Sequence, residues 1–215
     1  ASGYASTAMG GGTTASGLYS TAMGAYTTAS GDYSTAIGYY AEASGTYSFA
    51  VGNHTNASTY NTCAIGYYAK ADKHSQFAHS AGKFGTAGDA QYSRVVLRAD
   101  TTDTTQETMY VDNNSSYKLI LPASTTWGFI AYITARASTG TSSFWEIKGV
   151  IKRDGSNNTT LVGSITKTLI AQDSGASSWD VTAEADDTNE ALAIKVTGDT
   201  NMRWVCVVHL TEVGY

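Results

Sequence analysis

One spacing governs the first third of this chain. Gly10, Gly24, Gly38, Gly52 and Gly66 follow one another at intervals of fourteen residues. Each is preceded by an aliphatic side chain (Met9, Met23, Ile37, Val51, Ile65) and, before that, by alanine (Ala8, Ala22, Ala36, Ala50, Ala64). Half a period away stand a second alanine column (Ala1, Ala15, Ala29, Ala43, Ala57, Ala71), serines from Ser2 to Ser58, and Gly3, Gly17, Gly31 and Gly45. A helical repeat needs about 33 or more residues, so a helical solenoid is excluded. Two short strands joined by two tight glycine corners fit the period, and each repeat reads as one turn of a parallel β-roll. Ser20-Thr21-Ala22-Met23 alternates small and large in the period of two that strand side chains follow. A narrow coil admits only Ser and Ala inside, so the column from Met9 to Ile65 is expected to point outward.

Stacked at roughly 4.8 Å per coil, Met9, Met23, Ile37, Val51 and Ile65 form a continuous apolar stripe, with Phe49, Cys63 and Phe77 in the neighbouring column. A monomer does not leave such a stripe in water. These residues are therefore expected to form the interface with further copies of the chain. The competing reading places the aliphatic column in the coil's own core.

The runs S-T-A-M-G, S-T-A-I-G, S-F-A-V-G and C-A-I-G-Y-Y-A-K-A resemble the fourteen-residue head repeats of trimeric autotransporter adhesins, which also occur in phage tail fibres. The resemblance covers residues 1–80 and implies a left-handed parallel β-roll, a homotrimer around one axis, and a role in attachment. Thr59 and Lys73 depart from the glycine column, and His79 and Ser80 stand where aliphatic and glycine belong, so the roll is expected to end there. Ala1-Ser2-Gly3 already stands in register with Ala15-Ser16-Gly17. The chain is accordingly expected to be the distal part of a longer fibre whose remainder lies N-terminal to it.

Charge marks a second region. Residues 1–69 contain only Asp32 and Glu42 as charged side chains, and all thirteen Lys and Arg fall between Lys70 and Arg203. Residues 81–90 read as a glycine-rich neck, and residues 91–215 as an antiparallel β-sandwich or jelly-roll head. Strands are expected at Val95 to Arg98, Thr108 to Val111, Tyr117 to Leu121, Phe129 to Ala135, Phe144 to Lys152, Thr160 to Ile165, Trp179 to Ala185, Leu192 to Val196 and Arg203 to Val208. Both faces of Trp204-Val205-Cys206-Val207-Val208 are apolar, so this strand is central or meets another chain. The run D-T-N-E-A-L-A-I-K-V-T-G followed by R-W-V-C-V-V is similar to C-terminal domains of phage tail-fibre and tailspike proteins. The fold class is thus all-β throughout.

A net charge of −5 argues against nucleic acid as a partner. No apolar run reaches about 18 residues, so membrane insertion is not expected. Cys63 and Cys206 lack zinc or CxxC spacing and read as packing residues.

Chemistry has little to build on. His54, His74, His79 and His209 lie in no nucleophile motif, and no catalytic residue or cofactor is expected. His74 and His79 stand five apart and would form axial rings in a trimer, yet no metal site is assigned. Asp32 and Glu42 lie on different columns, which disfavours a glycosidase pair. The threonine ladder begun by Thr13-Thr14 and Thr27-Thr28 breaks at Ala41-Glu42, which disfavours ice binding.

Binding is the remaining class. Tyr26, Tyr40, His54 and Tyr68 recur two positions after the repeat glycines, beside a second column of Tyr19, Tyr33 and Tyr47. They read either as a binding stripe or as a self-stacking ladder that stiffens the roll. In the head, Trp127, Asp154, Asn157 and Asn158 read as loop contacts to a sugar, whereas Trp145, Trp179 and Trp204 read as core. The expectation is the non-catalytic tip of a trimeric phage tail fibre on the virion, binding a host cell-surface glycan or protein. The alternatives are a bacterial surface adhesin and a polysaccharide-cleaving tailspike.

Overall fold

Each repeat closes as one coil of a five-residue and a two-residue strand. In the computed structural model, which describes all 215 residues, the coils run β1 (Thr7–Gly11), β2 (Thr14–Ala15), β3 (Thr21–Ala25), β4 (Thr28–Ala29), β5 (Thr35–Tyr39), β6 (Glu42–Ala43), β7 (Phe49–Asn53), β8 (Asn56–Ala57), β9 (Cys63–Tyr67), β10 (Lys70–Ala71) and β11 (Phe77–Ala81). The long strands pair in parallel with identical repeat positions opposite one another: Met9 with Met23, Met23 with Ile37, Ile37 with Val51, Val51 with Ile65, and Ile65 with His79. The short strands form a second parallel ladder.

The interior of the roll is alanine. Ala22, Ala36, Ala50 and Ala64 from the long strands and Ala15, Ala29, Ala43 and Ala57 from the short ones are wholly buried and form one cluster. The aliphatic column faces away from it. Met9 is 55% exposed, while Met23, Ile37, Val51 and Ile65 are half-buried by their neighbours in the stack. The reading that put this column in the coil's core is therefore set aside.

Only one of the two glycine columns sits at a corner: Gly17, Gly31 and Gly45 open the turn that leads into the next long strand. Gly24 and Gly38 lie inside long strands, where a β-carbon would stand 2.0 Å from the carbonyl oxygen of the next glycine in the column. Left-handed backbone at the corners is instead carried by side chains. Tyr19, Tyr26, Tyr33, Tyr40, Tyr47, His54, Asn61, Tyr68 and Ser75 all have φ between 53° and 60° except Tyr40 at 51°. Where the column ends, Ser80 replaces glycine because the chain above it no longer repeats: its hydroxyl oxygen lies 2.8 Å from the Ala90 carbonyl.

The chain divides into two units, Ala1–Ser93 with Glu212–Tyr215, and Arg94–Thr211. In the first unit, the end of the roll carries buried polar groups. Lys73 lies 2.7 Å from Asp72, which Lys70 also approaches at 3.1 Å. Gln91 donates to Glu212 at 3.3 Å and to the Lys70 carbonyl at 3.0 Å, and the Ser93 hydroxyl donates to Glu212.

The second unit is built on the strands β12 (Ala90–Thr101), β13 (Gln106–Thr108), β14 (Tyr110–Val111), β15 (Leu119–Ile120), β16 (Thr125–Ala137), β17 (Ser142–Arg153), β18 (Thr159–Leu161), β19 (Thr166–Gln172), β20 (Asp180–Asp186), β21 (Ala191–Thr197) and β22 (Met202–Gly214). One sheet has the order β12-β22-β16-β17, with β14 on β12 and with β18 and β19 on the outer edge of β17. The other sheet pairs β20 with β21, whose far edge takes β13 and β15. Trp127, Phe129, Ile133, Ile147 and Trp204 from the first sheet and Val181, Ile194 and Val196 from the second share one core. This arrangement is the expected antiparallel two-layer architecture.

Two expected strands are corrected. Thr108 to Val111 is broken at buried Met109, where the chain leaves the β21 sheet for β12. Thr160 to Ile165 stops at Leu161, because Gly163 turns the chain with φ +72°. The strand that follows, β19, has every residue exposed. It lacks the alternation that marks a half-buried strand.

Candidate functional site

The aromatic columns of the roll stack on themselves. Tyr26 and Tyr40 are 4.9 Å apart between ring centroids, Tyr40 and His54 5.0 Å, and His54 and Tyr68 4.7 Å. Tyr19, Tyr33 and Tyr47 form the parallel stack at 5.3 and 5.0 Å. The ring faces are spent on one another, leaving edges and hydroxyls to the solvent. Partial burial in the stack, followed by the neighbouring Tyr39 and Tyr26 phenols, pushes the Tyr40 hydroxyl above its ordinary pKa. The ammonium of Lys83 lies 4.1 Å from the Tyr68 ring centroid, a cation–π contact.

The loop residues of the head fare differently from expectation. Trp127 is not in a loop. It is wholly buried at the third position of β16, on the inward face with Phe129, Ala131 and Ile133. The alternation of those residues carries the signal that places it in the core. Asp154, Asn157 and Asn158 are exposed in the turn after β17, but they serve that turn. The Asp154 carboxylate accepts from the backbone amides of Ser156 at 2.8 Å and Asn158 at 2.9 Å, and from the Asn158 side chain at 2.9 Å. Those bonds, the Asn158 bonds foremost, hold its carboxyl below the ordinary aspartate range. The Asn157 side-chain oxygen accepts from Arg153 at 2.7 Å.

A different surface of the second unit is concave. The end of β12, the β16–β17 turn and the β21–β22 turn enclose about 550 Å³ lined by Asp100, Thr102, Arg136, Ser138, Asn201 and Arg203. Its floor is fixed by the Trp204 indole, which donates to the Thr101 hydroxyl at 3.0 Å. The Ser138 amide donates to the Asn201 carbonyl at 3.0 Å and ties two of the walls together. No sequence motif joins these residues.

The structure contains no group of three or more His, Cys, Asp and Glu placed to hold a metal ion. His74 stacks on Tyr60 at 5.0 Å. Cys206 is wholly buried, and that burial pushes its thiol pKa up. Cys63 is half-buried on the outer face, in register with Phe49 and Phe77.

The coil geometry agrees with a known family. Overlapping segments 1–27, 15–41, 29–55 and 43–69 match the family model of the YadA head domain repeat, in its two-copy form. Residues 1–69 are thus similar to YadA-type head repeats. No curated protein matches the chain. Among solved structures, the tailspike protein of Acinetobacter baumannii phage AM24 is similar at 7% identity and TM-score 0.31, over 95% of this chain and 47% of that one. The tailspike protein of Acinetobacter phage vB_ApiP_P1 is similar at 12% identity and TM-score 0.28, over 98% of this chain and 47% of that one. The chain therefore spans about half the length of either tailspike.

Proposed function

We propose that this chain is a homotrimeric attachment protein, the receptor-binding part of a phage tail fibre, which holds a cell-surface glycan without cleaving it. The observation that carries the reading is the outward column Met9, Met23, Ile37, Val51 and Ile65 on a roll of YadA-type head repeats. Its alanine core is already filled, so the stripe is free to bury apolar surface against two further copies at about 25 cal/mol per Å². Phe49, Cys63 and Phe77 extend the stripe sideways. Three identical receptor sites on one rigid trimer then multiply weak single-site affinity into firm attachment.

The family model also favours a second carrier, the bacterial surface, where the same trimer acts as an adhesin. The test takes the intact chain through sedimentation equilibrium, a glycan array and a reducing-end release assay on the glycans it retains. A mass of three chains, retention of glycan and no released ends are expected. A monomer, or turnover of the retained glycan, overturns the reading.

A further inference from the structure

We propose that the groove between the end of β12 and the β16–β17 and β21–β22 turns binds a carboxylate-bearing sugar. The proposal rests on the attachment reading and names the ligand class for it. Its basis is a contrast in how polar groups are used. The carboxylate and amides around Asp154 are consumed by their own turn. In the groove, the guanidinium of Arg136 and the side chains of Thr102, Ser138 and Asn201 make no hydrogen bond or ion pair within the protein. The Arg203 side chain is 90% exposed, and its Nε stands 3.9 Å from Asp100, too far for a hydrogen bond and worth little as a surface ion pair.

Uncommitted donors therefore converge on one concave space with fixed walls. Two guanidiniums against one carboxylate give the groove local positive charge in a chain of net charge −5. A guanidinium matches a carboxylate in a planar, bidentate fashion. Asp100, held by the Asn113 side chain at 3.0 Å, is an acceptor for ring hydroxyls. It also repels a doubly charged phosphate more than a singly charged carboxylate. Hydroxyl and amide groups at Thr102, Ser138 and Asn201 supply the remaining partners that a polyhydroxyl ring requires.

The test measures binding of the intact protein by titration calorimetry to a galacturonic acid tetrasaccharide, a glucuronic-acid-containing tetrasaccharide and a sialylated trisaccharide, each beside its methyl ester. At least one free acid is expected to bind, with its ester weaker by roughly tenfold or more, the loss of one charge-assisted contact. Arg136→Gln and Arg203→Gln are each expected to weaken the acid by a similar factor while leaving circular dichroism and sedimentation mass unchanged. Equal binding of acid and ester, binding of none of the three acids, or full affinity in both variants overturns the groove assignment. If the variants and the native protein attach equally well to a retained neutral glycan, the attachment reading stands and only the groove falls. If the native protein retains no glycan of any kind, both fall.

Discussion

Gly38 and Tyr40, two residues apart, use left-handed backbone for opposite reasons. Gly38 has φ +129°, and a β-carbon there would meet the Gly52 carbonyl oxygen at 2.0 Å. Neither can give, because both belong to hydrogen-bonded strands. Gly38→Ala is expected to cost about 3 kcal/mol or more in urea unfolding, through strain and displaced coils together. Tyr40, at φ 51°, accepts a conformation that costs an ordinary residue about 1–2 kcal/mol. It recovers that cost in two stacked contacts, each worth about 0.5–1.5 kcal/mol. Tyr40→Asn, which tolerates the left-handed corner, is expected to cost about 1–2 kcal/mol. Tyr40→Val loses the stack and adds the strain of a β-branched residue at positive φ, so it should unfold at lower urea than the asparagine variant.

At the scale of the element, the last turn of the roll and the C-terminal end of β22 meet in a buried ionisable cluster. Burial raises the Glu212 pKa above its ordinary 4.5, and Lys73, Ser93 and Gln91 offset that only in part. The folded state then holds the Glu212 proton more tightly than the unfolded chain does. This contribution to stability is fully present below pH 4.5 and is lost as pH rises through the folded value. Asp72 behaves oppositely. Burial disfavours its charge, but Lys73 and Lys70 outweigh it and hold its pKa below 3.8, so its contribution is present above that value and is lost as pH falls through the folded value. The native protein is expected to lose thermal stability as pH rises above 4.5, and Glu212→Gln is expected to lack that decline in thermal unfolding. A variant that keeps the native profile would refute the role of Glu212.

At the scale of the whole molecule, the proposed homotrimer rests on the outward stripe. Ile37 points away from the alanine core, so Ile37→Glu leaves the coil intact and places a charge at the middle of the column. Sedimentation equilibrium is expected to show the mass falling from three chains toward the 22.6 kDa of one. Circular dichroism should remain that of the native protein. An unchanged mass would show that the contact between copies lies elsewhere.

The period of fourteen determined the roll, its register and the direction of each column, because the same residue returns to the same place in every coil and only its size decides whether it fits inside. The head was legible where burial alternates, as at Trp179, Val181 and Ala183. It was not legible at Met109, where one run serves two sheets, or at β19, which is exposed along its whole length. Tertiary structure alone assigned tyrosines to the left-handed corners and buried Trp127. It also brought residues 100–102, 136–138 and 201–203 around one groove. Local pattern records which face a side chain takes within its own element; it carries no trace of which distant strand ends will converge, since that is fixed by sheet pairing and core packing between segments far apart in the chain.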